Sequence, residues 1–568
     1  MKTRKIIMSL IALMFILTPF IIKAESDDNF NEVYKKTFGS ESNQNLYDII
    51  ETEDGNYLIV GNTFGDVPVG EVRGKTKGYI IKADIDGNKI WEKEYTFSVN
   101  NKPDNYTYFN GVQKVDDGGF IIVGSYIDPE NDLDLEAIIL KIDKDGKLEW
   151  QKTYSGGPKS IDKLQSIIKT SDGNYVIAGY TGGNIDGNIN LGINDGWIIK
   201  IDKTGKELFS KQYGTNANDK LYAIKETEDG DYVAVGETAK DSTNLNDGWI
   251  IKIDKNGNEI YNKSFGSSNY NDCFYDLIIN DDNIMVVGEK GRPLSNDNKI
   301  INASGWLVKL DNDGNIIYEK QFGDDSFVLA QSITKINGTD YAIVGQTSGT
   351  DFGDSDNPNV TGFLMIINED GDAQLVRRYG TDRTGDGIIT FKEDFFSKII
   401  KTKDNNLVIV GSFECVSDDD LAGKGWLLTF RYGYQLKLDS NEGKSDIDKL
   451  STKYQEELLL PNSSFTREGY QLIGWATSLE EANNLVVKYQ DSYTQSDKVD
   501  HILYAVWKKA DVNPDPNKEI INKTIITNTD NKKQSLPKTG IDNNILLIST
   551  ILITLSIGSK VIIKRNYK

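Results

Sequence analysis

From residue 31 to 432 the chain is written in short apolar runs broken by turn residues, and the runs repeat. One phrase is a strand ending on an aliphatic–glycine pair. It reads Asn56-Tyr57-Leu58-Ile59-Val60-Gly61 and recurs with its glycine at Gly124, Gly179, Gly236, Gly288, Gly345 and Gly411. A second phrase follows each copy, clearest as Gly196-Trp197-Ile198-Ile199-Lys200-Ile201-Asp202. It returns at Gly78, Gly248, Gly305, Gly362 and Gly425, with Glu136 in the glycine's place in the second copy. A third run comes next, as in Ile90 to Tyr95, Trp150 to Tyr154, Phe209 to Tyr213, Tyr261 to Phe265 and Tyr318 to Phe322. Each unit thus predicts four short strands rich in β-branched and aromatic residues. Asp54-Gly55, Asp117-Gly118, Asp172-Gly173 and Asp229-Gly230 join the first pair of strands. Asp86-Gly87, Asp145-Gly146, Asp313-Gly314 and Asp370-Gly371 join the second. Asp-Gly supplies the positive φ that tight hairpins require.

Seven four-stranded units predict an all-β fold, a seven-bladed β-propeller over residues 25–432. The seventh unit runs through Gly425-Trp426-Leu427-Leu428-Thr429-Phe430 and then lacks its last strand. A matching run, Val33-Tyr34-Lys35-Lys36-Thr37-Phe38, stands at the front of the array. It is expected to complete the last blade, leaving the ring no open edge. The Asp-Gly hairpins fall on one face of such a ring. The connections after the seven repeated glycines, and the links between blades, fall on the other. Those connections share little sequence, which is the layout of a binding surface carried on a rigid scaffold. Through its D-x-x-G-x-x-x-W/Y pattern the unit resembles bacterial propeller repeats of the quinoprotein-like group. That resemblance implies the fold and nothing more, since the group includes both dehydrogenases and non-enzymatic scaffolds.

Composition narrows the function. Glycine is abundant at 52 and proline scarce at 11, in keeping with strands and tight turns. Lys+Arg is 64 against Asp+Glu 86, a formal net charge of −22. A chain this acidic repels phosphate backbones, so nucleic acid is not an expected partner. A single histidine, His501, excludes His-rich metal sites and leaves histidine-dependent catalysis one residue. Cys273 and Cys415 fall at non-equivalent places in blades five and seven and are expected as free thiols. No serine nucleophile elbow, phosphate-binding loop or His-Glu-x-x-His motif is present, and no organic cofactor is expected.

The two ends carry addresses. Lys2, Arg4 and Lys5 precede an apolar stretch from Ile6 to Ile22, so residues 1–24 read as a secretory signal peptide. At the other end Leu536-Pro537-Lys538-Thr539-Gly540 precedes an apolar run from Ile545 to Ile563, closed by Lys564, Arg565 and Lys568. Residues 536–568 resemble the sortase sorting signal of Gram-positive surface proteins. The resemblance implies a membrane pause, cleavage between Thr539 and Gly540, and a covalent bond from Thr539 to peptidoglycan. Losing the leader's four basic residues, and a tail with four basic and one acidic, takes the formal net charge from −22 to −29.

Between these ends two more segments differ from the repeat. Residues 433–508 contain Arg467-Glu468-Gly469-Tyr470, Gly474-Trp475 and Leu503-Tyr504-Ala505-Val506-Trp507. They resemble the Listeria–Bacteroides repeat, the internalin-type B repeat. This implies a small β-grasp-like module that serves surface proteins as spacer or receptor contact. Trp475 and Trp507 read as core residues. Residues 509–535 are polar and Pro-, Asn- and Lys-rich, a flexible stalk.

One insertion, between blades six and seven, carries a metal-ligand spacing. Asp382, Thr384, Asp386, the Ile388 carbonyl and Glu393 supply oxygens at EF-hand-type positions, with Gly387 at the turn. Calcium and a merely solvated loop both suit it. The Asp-x-Asp-Gly hairpins, such as Asp84 to Gly87, read as turns. The chain as a whole reads as a secreted, wall-anchored surface protein without enzymatic activity. Its propeller is expected to bind an extracellular glycan or protein; the rival class is a glycan lyase or glycosidase working from the channel. Tyrosines, arginines and carboxylates converging on the channel mouth would favour the enzyme, and an apolar plug would favour binding.

Overall fold

The structure, a computed structural model, describes residues 30–39, 43–64, 76–96, 98–99, 102–103, 106–127, 135–157, 159–184, 192–239, 245–267, 269–280, 282–292, 303–323, 327–348, 360–380, 394–414, 423–452, 457–496 and 500–510. Seven four-stranded antiparallel sheets follow one another in sequence as the blades of a β-propeller. The inner strands are Asn43–Glu51, Thr107–Lys114, Lys163–Lys169, Asp219–Glu226, Asn271–Asn280, Val328–Lys335 and Phe395–Lys401. Each is followed outward by its second, third and outer strands. In the last blade the outer strand is the N-terminal Phe30–Phe38, antiparallel to Gly423–Tyr432, with Lys35 opposite Leu428 and Thr37 opposite Trp426.

The core is cyclic. Seven apolar clusters each join the facing sheets of two adjacent blades, and the cluster between blades seven and one contains Phe38 of the closing strand. Tight packing between blades explains two of the repeated signals. The glycine of each third-to-outer hairpin lies under an aromatic ring of the preceding blade's outer strand: Gly146 under Trp91, Gly205 under Trp150, Gly314 under Tyr261, Gly371 under Tyr318. Lys93 and Lys263 of those outer strands donate to the Asp145 and Asp313 carbonyls of the following hairpins, both at 2.6 Å. The closing strand behaves like the others. Tyr34 packs over Gly87 and donates to the Ile85 carbonyl at 2.9 Å, and Lys36 reaches Asn88 Oδ1 at 3.0 Å. The first Asp of each hairpin is occupied by the turn itself: Asp84 Oδ1 accepts the amides of Asp86 and Asn88.

The glycine that ends each second strand has a different cause. Opposite it the inner strand bulges, so that two residues face one, and the extra residues are Tyr47, Asn110, Gln165, Tyr222, Tyr275, Gln331 and Ser397. The bulge drives an inner-strand carbonyl against the glycine. A Cβ at Gly61, Gly124, Gly179, Gly236, Gly288, Gly345 or Gly411 would lie under 3.0 Å from the carbonyl oxygen of Asn45, Tyr108, Lys163, Lys220, Cys273, Leu329 or Phe395.

Gly433, at φ +89°, turns the last propeller strand into a second domain. There a mixed four-stranded sheet orders Lys449–Thr452, Tyr434–Asp439, His501–Lys509 and Tyr470–Ala476, with the central pair parallel and one short helix, Leu479–Asn483. Trp475 and Trp507 lie in its core, their indole N–H groups bonded to Asn462 Oδ1 and the Ser440 carbonyl. His501 sits in this domain, its Nδ1 2.6 Å from the Tyr493 hydroxyl. Arg431 pairs with Asp500 and Lys449 with Asp404 across the junction.

Gly236→Ala therefore forces a backbone shift, with a cost of about 1–3 kcal/mol or more expected for such overpacking. Gly230, at φ +80° with open space around it, should cost about 1–2 kcal/mol on the same change, from the left-handed backbone alone. Urea unfolding of both variants checks the ranking; equal midpoints would contradict the bulge argument.

Candidate functional site

A bulge in an inner strand turns two consecutive side chains toward the propeller axis, where an unbroken strand would turn one. The pairs are Tyr47-Asp48, Asn110-Gly111, Gln165-Ser166, Tyr222-Ala223, Tyr275-Asp276, Gln331-Ser332 and Ser397-Lys398. Most of these residues, with Asn62, Tyr108, Lys163, Gln346 and Phe395, line a cup of about 500 Å³. The cup opens on the face of the inter-blade links and second-to-third connections. Its size lies within the about 300–1,000 Å³ of ordinary ligand pockets. On the opposite face a separate recess of about 510 Å³ is lined by Gln113, Ile168, Lys225, Ile278 and Thr334 among others.

Charge forms the floor between the two. Lys398 Nζ lies 2.9 Å from Asp276 Oδ2, which also accepts from Ser332 Oγ at 2.7 Å. Asp48 accepts the amides of Ile49 and Val112, each at 2.9 Å. Burial raises the Asp48 carboxyl above its ordinary value, with Lys398 opposing. At Asp276 burial pushes the same way, but Lys398 and Lys225 outweigh it and hold that carboxyl low. The same two carboxylates keep the Lys398 ammonium high against its own burial, whereas Lys225 is lowered by burial and by Lys398. The apolar plug expected of a binding protein is absent, because an ion cluster lies at the floor, whereas tyrosines and carboxylates do converge on the cup.

Above the floor, blades four and five bring together Tyr222, Tyr275, Glu237, Glu289, Lys220 and Arg292. The two tyrosine rings lie 5.7 Å apart. Tyr222 donates to Glu237 at 3.0 Å and Tyr275 to Glu289 at 2.7 Å. Lys220 binds Glu237 at 2.7 Å and Arg292 binds Glu289 at 3.0 Å. Burial raises both tyrosine hydroxyls far above their ordinary value, and raises Glu289 as well. The tyrosines line the cup, but the Glu289 side chain is 0% exposed and that of Glu237 only 6%. These carboxylates hold the tyrosines in place and do not themselves meet the solvent of the cup. Other buried carboxylates fasten links between blades. Asp162 accepts from Gly156, Ser160 and Thr181, Asp219 from Thr215 and Thr238, and Asp272 from Ser267 and Gly291.

The residues singled out from sequence fall elsewhere. Asp382, Thr384, Asp386, Ile388 and Glu393, the motif from Leu536 to Gly540, Cys415, residues 1–24 and the apolar run from 545 to 563 all lie outside the described residues. So do most of the variable connections. Cys273 is buried and free. Among the described residues no three His, Cys, Asp or Glu side chains cluster as metal ligands, and no helix is long and apolar enough to cross a membrane.

Residues 434–506 match the Listeria-Bacteroides repeat domain, a repeat typical of extracellular and surface proteins. No curated protein sequence matches the chain. Solved structures resemble it as β-propellers. The Pan2 WD40 domain of Neurospora crassa is 10% identical, with 72% of this chain and 97% of that one covered at a TM-score of 0.42. The propeller domain of the trilobed protease from Pyrococcus furiosus is 10% identical, covering 73% and 96% at 0.36. A PL25 polysaccharide lyase, an ulvan lyase, is 13% identical, covering 58% and 79% at 0.35. The likeness is one of fold alone.

Removing the floor's central cation exposes what it balances. Lys398→Met removes the cation that contacts Asp276 and leaves Lys225 as the remaining nearby positive charge for Asp276 and Asp48, and about 3–5 kcal/mol should be lost at neutral pH. In the wild type the depressed Asp276 carboxyl contributes stability that is lost as pH falls through its folded value. In the variant burial would raise both carboxyls, so their contribution is present in acid and lost as pH rises. From pH 4 to pH 7 the urea midpoint should therefore fall further in the variant than in the wild type, where Asp48 alone of the two is raised; an equal change in both proteins would contradict the role given to Lys398.

Proposed function

We propose that the protein is a non-enzymatic, surface-displayed binding protein and that its ligand is a glycan seated in the cup. One observation carries this reading: the cup is concave and lined with tyrosine rings, amides and hydroxyls. Gln165 and Gln331 face it half-buried with no hydrogen-bond partner among the described residues. Side-chain amides offer both donors and acceptors, as sugar hydroxyls do, and tyrosines add flat apolar area with a polar tip. The second domain and the stalk then serve as spacer. Secretion by the leader, and covalent attachment through Thr539 after cleavage of Leu536-Pro537-Lys538-Thr539-Gly540, complete the proposal. Calcium held by Asp382, Thr384, Asp386, Ile388 and Glu393 would order a segment between blades six and seven.

A second reading has an observation of its own. Asp48 and Asp276 line one cup with proton affinities driven apart, the pattern by which one carboxyl serves as acid and another stays ionised. That arrangement favours glycan cleavage, and the same experiment separates the two readings.

Residues 25–539 applied to a glycan array should retain specific oligosaccharides without cleaving them. Gln165→Ala with Gln331→Ala should weaken that binding roughly thirtyfold, at about 1 kcal/mol for each lost hydrogen bond. Release of new reducing or unsaturated ends would support the enzyme instead. Undiminished binding by the double variant would move the site away from the cup. For attachment, Thr539→Ala should shift the protein from the peptidoglycan-linked fraction to the membrane or the medium; unchanged covalent linkage would overturn that part.

A further inference from the structure

The cations around the cup are unequally matched. Lys398 has Asp276, Lys220 has Glu237 and Arg292 has Glu289. Lys163 has none. It stands at the start of the blade-three inner strand, half-buried at the rim, and its ammonium makes no hydrogen bond or ion pair with any described residue. Its register partner across the strand pair is Tyr180, and the nearby charge it feels is Lys220, of the same sign. Burial and Lys220 together push the ammonium below its ordinary value.

An unpaired, partly desolvated cation costs free energy unless a counter-ion arrives. Acidic residues are plentiful in this chain, yet none of the described residues of blade three pairs with the Lys163 ammonium. We infer that the cup takes a glycan bearing an acidic group, carboxylate or sulfate, and that Lys163 is the counter-ion that receives it. The inference rests on the glycan reading above and names the ligand's charge. It also limits that charge. With a formal net charge of −22 the protein repels a polyanion as a whole, so the fitting ligand carries an isolated or terminal acidic sugar on an otherwise neutral chain.

The test uses residues 25–539, the Lys163→Gln variant and the charge-preserving Lys163→Arg variant, with melting temperatures to show that all three fold alike. The probes are matched oligosaccharides ending in glucuronate, in 3-O-sulfogalactose, or in the corresponding neutral sugar. The wild type should bind one acidic probe at least about tenfold more tightly than its neutral counterpart, the scale of one charge-assisted hydrogen bond. Lys163→Gln should bring the ratio of acidic-probe to neutral-probe affinity to about one, whatever its effect on neutral-probe affinity, and Lys163→Arg should keep the wild-type ratio. Which acidic probe shows the preference assigns carboxylate or sulfate. Equal binding of neutral and acidic probes by the wild type, or an acidic preference that survives Lys163→Gln, overturns this inference and leaves the glycan reading standing. Binding of no probe by any of the three proteins overturns both.

Discussion

Each inner strand carries one residue more than its neighbour, and the second strand can meet it only with a glycine. That close approach organises the molecule. It brings the Lys220 carbonyl against Gly236, and its six counterparts against theirs, so the inner and second strands of every blade are locked in one register. The same extra residue doubles the number of side chains aimed at the axis. A regular strand would leave the channel ringed by one residue per blade at this level. The bulged ring presents fourteen positions, enough to build a cup with a floor.

What fills those positions sets the electrostatics. Lys398, Asp276, Asp48 and Lys225 come from blades seven, five, one and four, and the Lys398–Asp276 pair joins two blades that are not neighbours in the ring. A buried ion cluster of this kind is a weak source of stability, because desolvation offsets most of the attraction. Its consequence is specificity of arrangement. With an apolar floor the inner ring could settle in several ways. With Lys398 shared between two carboxylates, blades one, five and seven are held in a fixed relation. The buried Glu237 and Glu289 act likewise on Tyr222 and Tyr275, whose rings would otherwise be free to swing into the cup. In the binding proposed above, a lining held in place beforehand would lower the entropic cost of taking up a ligand.

The fold was legible because its signals repeat. Glycine-ended strands state one structural fact seven times, Asp-Gly hairpins state another four times in each of two places, and the orphan Val33 to Phe38 run states a third once at the right place. The cup was not legible in the same way. Its signal is a break in alternation within the inner strands, as in Leu46-Tyr47-Asp48-Ile49, Leu164-Gln165-Ser166-Ile167 and Phe274-Tyr275-Asp276-Leu277, where two polar or half-polar residues separate buried ones. A strand of period two predicts one. Aligning the seven copies would have marked the extra residue. The variable connections and the 382–393 insertion stand out more in sequence, because a difference in length is a larger signal than a one-residue slip. The carboxylates were uninformative in sequence for a further reason. Asp84, Asp162, Asp219 and Asp272 serve turns and links, Glu237 and Glu289 hold tyrosines, and among the described carboxylates Asp48 and Asp276 line the cup.

The junction with the second domain bears on how such a ring could work under load. The last propeller strand, Gly423–Tyr432, is paired on one side with Asn406–Glu414 and on the other with the N-terminal strand, and it continues through Gly433 into the central strand Tyr434–Asp439. Arg431 to Asp500, Lys449 to Asp404, and the Gln435 side chain to the Asp404 carbonyl at 3.3 Å brace the turn from both sides. In the anchoring proposed above, tension from the stalk enters the propeller through this strand. It would be carried along the strand axis, so the hydrogen bonds to both neighbours resist it in shear together. A blade closed within one hairpin would offer its terminal strand only one neighbour. Closing the ring with the N-terminal strand places the chain's exit in the middle of a sheet, and that placement makes an array of short strands suitable for display at the end of a tether.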